Sequence, residues 1–150
     1  MNWNKDRSTG LSLFCVAFFA LMLLMLDIFG LRIIRWWVDL RQMGGHEVVT
    51  LFTASLAALS VFAWVCLWYL WKLLANIRHG EVFIKQNVRS LRLVSWCCGA
   101  AALLCLASGL YYPPFFFAFA ACAFMMLIVR IVKNCFQQAC EMKEELDLTI

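Results

Sequence analysis

Uncharged apolar stretches alternate with short charged ones along the chain, and their lengths match membrane crossings. Residues 8–26, 48–71 and 93–129 contain no Lys, Arg, Asp or Glu. Some 20 apolar residues in a helix, at about 1.5 Å per residue, span the roughly 30 Å hydrocarbon layer of a bilayer. The first two stretches are therefore predicted to cross once each, and the third is long enough to cross twice.

The third stretch is divided by the sequence GLYYPPFFF. Pro113 and Pro114 lack a backbone N–H, and a residue before proline, here Tyr112, is pushed away from helical angles. We expect a helix to about Leu110, a tight turn, and a new helix from Pro114, since proline is tolerated in the first turn of a helix. Tyr111 and Tyr112 are suited to the headgroup level of a membrane.

The predicted fold is an all-α integral membrane protein whose four transmembrane helices form a single domain, residues 1–150. The helices are predicted at about residues 9–31, 48–72, 91–111 and 114–133, followed by a tail of residues 134–150. The composition agrees, because 65% of the residues are hydrophobic and 15% are charged, whereas soluble domains have about 25% charged residues. A cleaved signal peptide over the first stretch is the alternative, but no small-residue cleavage site follows Leu26.

Positive charge predicts the orientation of the chain. Ten of the 13 Lys and Arg residues lie on the side shared by the N-terminal tail, the second connection and the C-terminal segment. Since Lys and Arg are enriched in cytoplasmic loops, both termini are predicted to lie in the cytoplasm.

The C-terminal tail concentrates negative charge. An apolar stripe at i+3/i+4 spacing predicts that the fourth helix continues past the membrane into the cytoplasm. The stripe consists of Val132, Cys135, Ala139, Met142 and Leu146. We expect it to pack against the basic connection, residues 71–94, with the tail acids facing Lys and Arg side chains there. These acids are Glu141, Glu144, Glu145 and Asp147. A solvated, fraying tail is the alternative.

The first connection, LRIIRWWVDLRQMGG, separates into an apolar face and a polar face. The apolar face comprises Ile33, Trp36, Trp37 and Leu40, and the polar face comprises Arg32, Arg35, Asp39 and Gln42. This pattern predicts an interfacial amphipathic helix after helix 1, with Trp at headgroup depth. An extension of helix 1 beyond the membrane is the alternative. Asp27 lies near this end and is expected to be interfacial, where a carboxylate costs less than at mid-bilayer.

The second connection contains helix-ending and helix-starting signals. Gly80 is suited to the left-handed residue that ends the second helix, and Asn87 is a favoured N-cap for the third. One interpretation is a plain connection between two helices. The other is a basic cytoplasmic surface for anionic lipid or an acidic partner.

No residue pattern indicates catalysis. Stripes of small residues, such as Cys98, Ala102, Cys105 and Gly109, are expected to let helices pack closely. The eight cysteines include no CxxC pair and are expected to behave as small apolar side chains. The two histidines are predicted on opposite sides of the membrane, and no glycine-rich phosphate loop is present. We therefore expect no catalytic residue, metal site or cofactor, and no enzyme.

Several segments resemble the bacterial membrane family catalogued as domain of unknown function 2975. The segments are LLANIRHGEVFIKQNVRSLRLVSW, GLYYPPF, FMMLIVRIVKNCF and KEELDLTI. The most specific marks are Gly80, Phe83, Asn87, Leu91, Arg130, Lys133, Asn134, Lys143, Glu144, Glu145, Asp147, Leu148, Thr149 and Ile150. The resemblance covers about residues 45–150 and, more weakly, the first helix. The family often has a polar residue where this chain has Leu146.

The resemblance implies a small multi-pass protein of the bacterial inner membrane without established activity, often encoded beside a helix-turn-helix regulator of the Cro/CI type. The leading hypothesis is a membrane-embedded regulatory partner of that transcription factor. Its predicted interaction surface comprises Arg78, Gly80, Phe83, Lys85, Asn87, Arg89, Arg92, Lys143, Glu144, Glu145 and Asp147. The protein is expected to contact membrane lipid and no nucleic acid directly.

Two further hypotheses remain open. The second is a small transporter or pore-forming homo-oligomer for hydrophobic or cationic compounds. The third is a structural protein that senses the state of the bilayer through its interfacial Trp pair.

Overall fold

The computed structural model describes residues 3–41, 46–80 and 82–149, and these ranges contain four helices and no strand. The helices are α1 (Trp3–Arg41), α2 (His46–Arg78), α3 (Lys85–Gly109) and α4 (Phe115–Leu148). Each includes a segment long and apolar enough to cross a membrane. The all-α fold of a multi-pass membrane protein is therefore confirmed.

The breaks between the later helices lie close to their predicted positions. α3 ends at Gly109 and α4 begins at Phe115, so GLYYPPFFF forms the predicted turn. Gly80 follows α2 with a φ of 84°, a left-handed conformation that glycine adopts without steric cost. The predicted N-cap is wrong, however. α3 begins at Lys85, so Asn87 is the third residue of the helix and its side chain makes no cap.

The separate interfacial helix after helix 1 is not formed. Residues 32–41 are helical, but they continue α1 without a break, which is the alternative of a longer first helix. No proline interrupts this segment, and a lone glycine such as Gly30 costs a helix only about 1 kcal/mol. Ile34 and Val38 are the buried residues here, while Trp36 of the predicted apolar face is exposed.

The four helices lie side by side in chain order and do not close into a ring. α1 packs against α2, α2 against α3, and α3 against α4, and over the described ranges no Cα of α1 lies within 8 Å of one in α3 or α4. The accessible surface is 11036 Å², whereas a compact soluble protein of the same mass exposes about 7,800 Å². Long apolar faces are therefore left for contact with lipid.

Interhelical contacts locate the two surfaces of the apolar layer. At one surface, Ser55 of α2 hydrogen-bonds Tyr111 of the turn, with 2.6 Å between the oxygens. At the other, α2 carries Lys72, the first charged residue after its uncharged stretch. The helical rise from Ser55 to Lys72 is about 26 Å, close to the roughly 30 Å of a hydrocarbon layer. We call these surfaces the Tyr-Pro end and the basic end.

Asp27 lies at a level between these two ends. Its carboxylate accepts hydrogen bonds from Ser60 Oγ (2.6 Å) and Trp64 Nε1 (2.8 Å) of α2. These two residues are about 8 and 14 Å along α2 from Ser55, so Asp27 lies about midway between the Tyr-Pro end and the basic end. The expectation of an interfacial Asp27 stays a prediction, because on α1 Asp27 directly follows the uncharged stretch of residues 8–26.

Candidate interaction surface at the basic end

A buried amide fixes the connection between α2 and α3. The Asn87 side chain is fully buried; its Nδ2 donates to the carbonyl of Val82 (2.9 Å), and its Oδ1 accepts from Asn76 Nδ2 (2.8 Å). A buried amide left without such partners costs about 1–3 kcal/mol per unsatisfied group. The connection is therefore held in a defined conformation, and Asn87 supports the surface without being exposed on it.

The tail of α4 contacts this connection through one ion pair and one pair of aromatic rings. Lys85 Nζ lies 2.8 Å from Glu144 Oε1, and the ring centroids of Phe83 and Phe136 are 5.8 Å apart. The hydrogen bond from Lys85 to the Glu144 carboxylate, and then the charge of that carboxylate, raise the pKa of Lys85 above its usual range. Because both side chains are largely exposed, water screens the pair and it contributes little stability.

The face of α4 that meets α3 differs from the predicted apolar stripe. Most of that stripe is exposed, including Val132, Met142 and Leu146. The more buried positions are Met126, Val129, Lys133, Phe136 and Cys140. The packed face is thus displaced by one residue, or about 100° around the helix. Both series recur at i+3/i+4 spacing, so periodicity alone could not choose between them.

The tail acids are not equally engaged. Over the described part of the chain, Glu144 alone of the four forms an ion pair with a basic residue. Glu141 accepts a hydrogen bond from Gln137 (3.1 Å) and lines a groove of about 480 Å³ together with Arg89 and Arg92. Glu145 is exposed. The predicted contact between tail acids and basic residues is therefore observed for Glu144 with Lys85. Glu141 shares a groove with two arginines without forming an ion pair with either.

The predicted surface residues lie on three helices and one connection at the basic end. Arg78 ends α2, Gly80 and Phe83 lie in the connection, Lys85, Asn87, Arg89 and Arg92 lie on α3, and Lys143, Glu144, Glu145 and Asp147 lie on α4. All are exposed except Asn87. The structure brings Phe83 and Lys85 to the tail, whereas Lys143, Glu145 and Asp147 are exposed near its end.

Sequence reasoning missed three residues that shape this surface. Phe136 and Cys140 form the docked side of the tail, and Asn76 pairs with the amide of Asn87. The pairing of Asn76 with Asn87 could have been predicted, because these two amides flank a connection whose centre, from Val82 to Ile84, is apolar.

A second groove lies on the opposite side of α3. Its volume is about 460 Å³, and its charged lining residues are Lys72, Lys85 and Arg89. Both grooves at the basic end are lined by basic side chains. In the described ranges, no group of three or more His, Cys, Asp or Glu side chains is placed to hold a metal ion.

Comparison with known proteins identifies one matching family. The model for "Protein of unknown function (DUF2975)" matches residues 8–150, which covers nearly all of the four helices and the tail. No curated protein and no solved structure matches the chain.

Proposed function

The chain belongs to the DUF2975 family, and from that premise we propose that it is a membrane-embedded regulatory partner of a cytoplasmic helix-turn-helix transcription factor. We place it in the bacterial inner membrane with the basic end in the cytoplasm, in keeping with the excess of Lys and Arg at that end. The contact surface would be the connection from Arg78 to Arg92 together with the tail of α4.

The observation that carries the proposal is the uncovered face of the tail. From Lys133 to Leu148, α4 continues for about 22 Å, and its side toward Phe83 and Lys85 is held by the connection. The other side exposes apolar residues. Met142, Leu146 and Leu148 are 58%, 64% and 87% exposed. An apolar helix face of this kind is suited to the groove of a soluble partner.

The charge of the tail favours a DNA-binding partner. Glu145 and Asp147 lie beside the uncovered apolar residues and form no ion pair with the described Lys and Arg residues. DNA-binding domains carry a basic surface for the phosphate backbone. A tail that binds this basic surface would compete with DNA, so the regulator would be inactive while held at the membrane.

The test is retention of the neighbouring regulator at the membrane. Where a helix-turn-helix protein is encoded beside this gene, as the family resemblance implies, it is expected to co-purify with membranes that contain the full chain and to remain soluble when residues 134–150 are deleted. A Met142→Lys/Leu146→Lys variant should also release it, because two charges replace the apolar contact, whereas Asn134→Lys, on a different face of the same helix, should retain it. Unchanged retention after deletion of the tail would show that the proposed surface is wrong.

A second candidate function is a small transporter, and Asp27 favours it. Ionisable residues within membrane crossings are costly and commonly mark pathways for ions or substrates. Asp27 lies about midway between the Tyr-Pro end and the basic end, where Ser60 and Trp64 hydrogen-bond it.

A further inference from the structure

The seam between α1 and α2 holds an acid without a basic partner. The two carboxylate oxygens of Asp27 accept hydrogen bonds from a hydroxyl and from an indole N–H, both of which are neutral donors. No described Lys or Arg forms an ion pair with Asp27. A charged side chain within a membrane crossing is costly unless it is paired. The site is therefore arranged to favour a positively charged occupant.

The seam beside Asp27 also has room for an occupant. Asp27, Gly30 and Leu56 line a groove of about 200 Å³, which shares Thr53 and Ala57 with a neighbouring groove of about 720 Å³. Ligand pockets in proteins commonly measure about 300–1,000 Å³. A Cβ added at Gly30 would meet nothing within 4 Å. The space next to the carboxylate is thus open.

The surroundings of the groove define the chemistry of the occupant. Its lining is mostly aliphatic, and α1 packs against α2 alone, so the groove opens toward lipid. The larger groove extends along α1 to Arg35 and Asp39, whose opposite charges lie near the Tyr-Pro end and largely cancel. The occupant must therefore partition into lipid and also carry a positive charge.

We propose that the α1–α2 seam binds a lipophilic organic cation, with its charge beside Asp27 and its apolar groups in the groove next to Gly30. The site is separate from the surface at the basic end. It deepens the transporter candidate by naming a substrate class, but the proposal rests on binding and does not require flux.

The test uses the full-length protein in mild detergent and tetraphenylphosphonium as the probe, with binding measured by equilibrium dialysis. We expect saturable binding. Asp27→Asn preserves the size of the side chain and an acceptor oxygen but removes the charge, so we expect affinity to fall by about tenfold or more in this low-dielectric setting. Tetraphenylborate has the same shape and the opposite charge, and it should not bind the wild-type protein better than the Asp27→Asn variant.

A second variant tests the groove independently of the charge. Gly30→Phe leaves Asp27 and its hydrogen bonds in place while filling the open space, so it should also weaken tetraphenylphosphonium binding. Helix content and Tm are compared for both variants, and if Asp27→Asn loses helix content, Gly30→Phe alone decides. Wild-type affinity in either folded variant would overturn the site and leave the regulatory proposal standing. Saturable binding without substrate flux in vesicles would support the site and count against transport.

Discussion

The α3–α4 hairpin is closed within its uncharged stretch, with a groove between the two helices at the basic end, whereas the α1–α2 hairpin is open within its uncharged stretch. Between α3 and α4, Ala102 and Cys105 are buried, and a Cβ at Gly109 would come within 2.9 Å of the Phe116 ring. A third of the most apolar stretch of α3 is buried within the protein, against none of that of α1. Asp27 supplies hydrogen bonds between α1 and α2, and grooves flank them.

The difference reflects the two ways in which helices associate in lipid. No hydrophobic effect drives one apolar helix against another there, so association depends on close packing of small residues or on interhelical hydrogen bonds. α3 and α4 use the first, which leaves little space between them. α1 and α2 associate through hydrogen bonds, which hold the two helices together at a few atoms and leave space beside them. One small chain thus contains both a closely packed hairpin and a hairpin with space for a ligand.

The largest expected effect comes from removing the buried amide that anchors the closed hairpin to α2. Asn87→Ala leaves the Asn76 amide and the Val82 carbonyl without their partner, so we expect a loss of about 2–4 kcal/mol of unfolding free energy. In the open hairpin, Ser60→Ala removes one hydrogen bond to Asp27 while Trp64 keeps the other. Its cost should be about 0.5–1 kcal/mol, the size typical of interhelical hydrogen bonds in membranes.

Both values are measured by denaturant titration of far-UV circular dichroism in mixed micelles. Asn76→Ala is the matched control, because it removes one of the two hydrogen bonds while Asn87 still donates to the Val82 carbonyl, and it should cost less than Asn87→Ala. A Ser60→Ala variant as destabilised as Asn87→Ala would contradict the comparison, since the open hairpin would then depend on its hydrogen bonds as strongly as the closed one.

A smaller effect is expected from adding volume at matched positions in the two hairpins. Cys105 is 1% exposed, so Cys105→Leu forces extra atoms into a filled space and should cost about 1–3 kcal/mol. Ala57 is exposed and lines both grooves of the open hairpin, so Ala57→Leu should change stability by about 0.5 kcal/mol or less. Thermal unfolding in the same micelles compares them, and equal losses would show that the α1–α2 grooves are not open space.

The sequence predicted the turns and crossings better than the contacts between helices, for physical reasons. Prolines, Gly80 and the uncharged stretches act locally, so the turn, the left-handed residue and the four crossings followed from pattern. The role of Asp27 depended on how far helix 1 continues past the membrane and on which part of α2 it meets. The register between α1 and α2 depends on contacts between residues far apart in the chain, and no local sequence signal specifies it.

The basic end shows the same limit at a finer scale. Contact between the tail and the connection was expected from charge, and the ion pair between Lys85 and Glu144 is such a contact. The docked face was predicted one residue away, because apolar residues recur at helical spacing on both sides of α4. Phe136 packs against the ring of Phe83. The choice of docked face therefore depends on a contact between two separate segments of the chain.

The smallest expected effect concerns the contacts that hold the tail against the closed hairpin. It distinguishes the aromatic contact of Phe83 from the ion pair of Lys85. Phe83 and Lys85 both lie outside the tail, so Phe83→Ala and Lys85→Gln leave its cleavage sites unchanged. An aromatic pair contributes about 0.5–1.5 kcal/mol beyond burial, so Phe83→Ala should speed cleavage of the tail by a Glu-specific protease about two- to tenfold. The ion pair is exposed and screened, so Lys85→Gln should change the rate less than about twofold, and 1 M salt should likewise have little effect on the wild-type protein. If Lys85→Gln instead frees the tail more than Phe83→Ala does, then charge holds the tail, and the closed hairpin would rely at its end on the polar type of contact assigned here to α1 and α2.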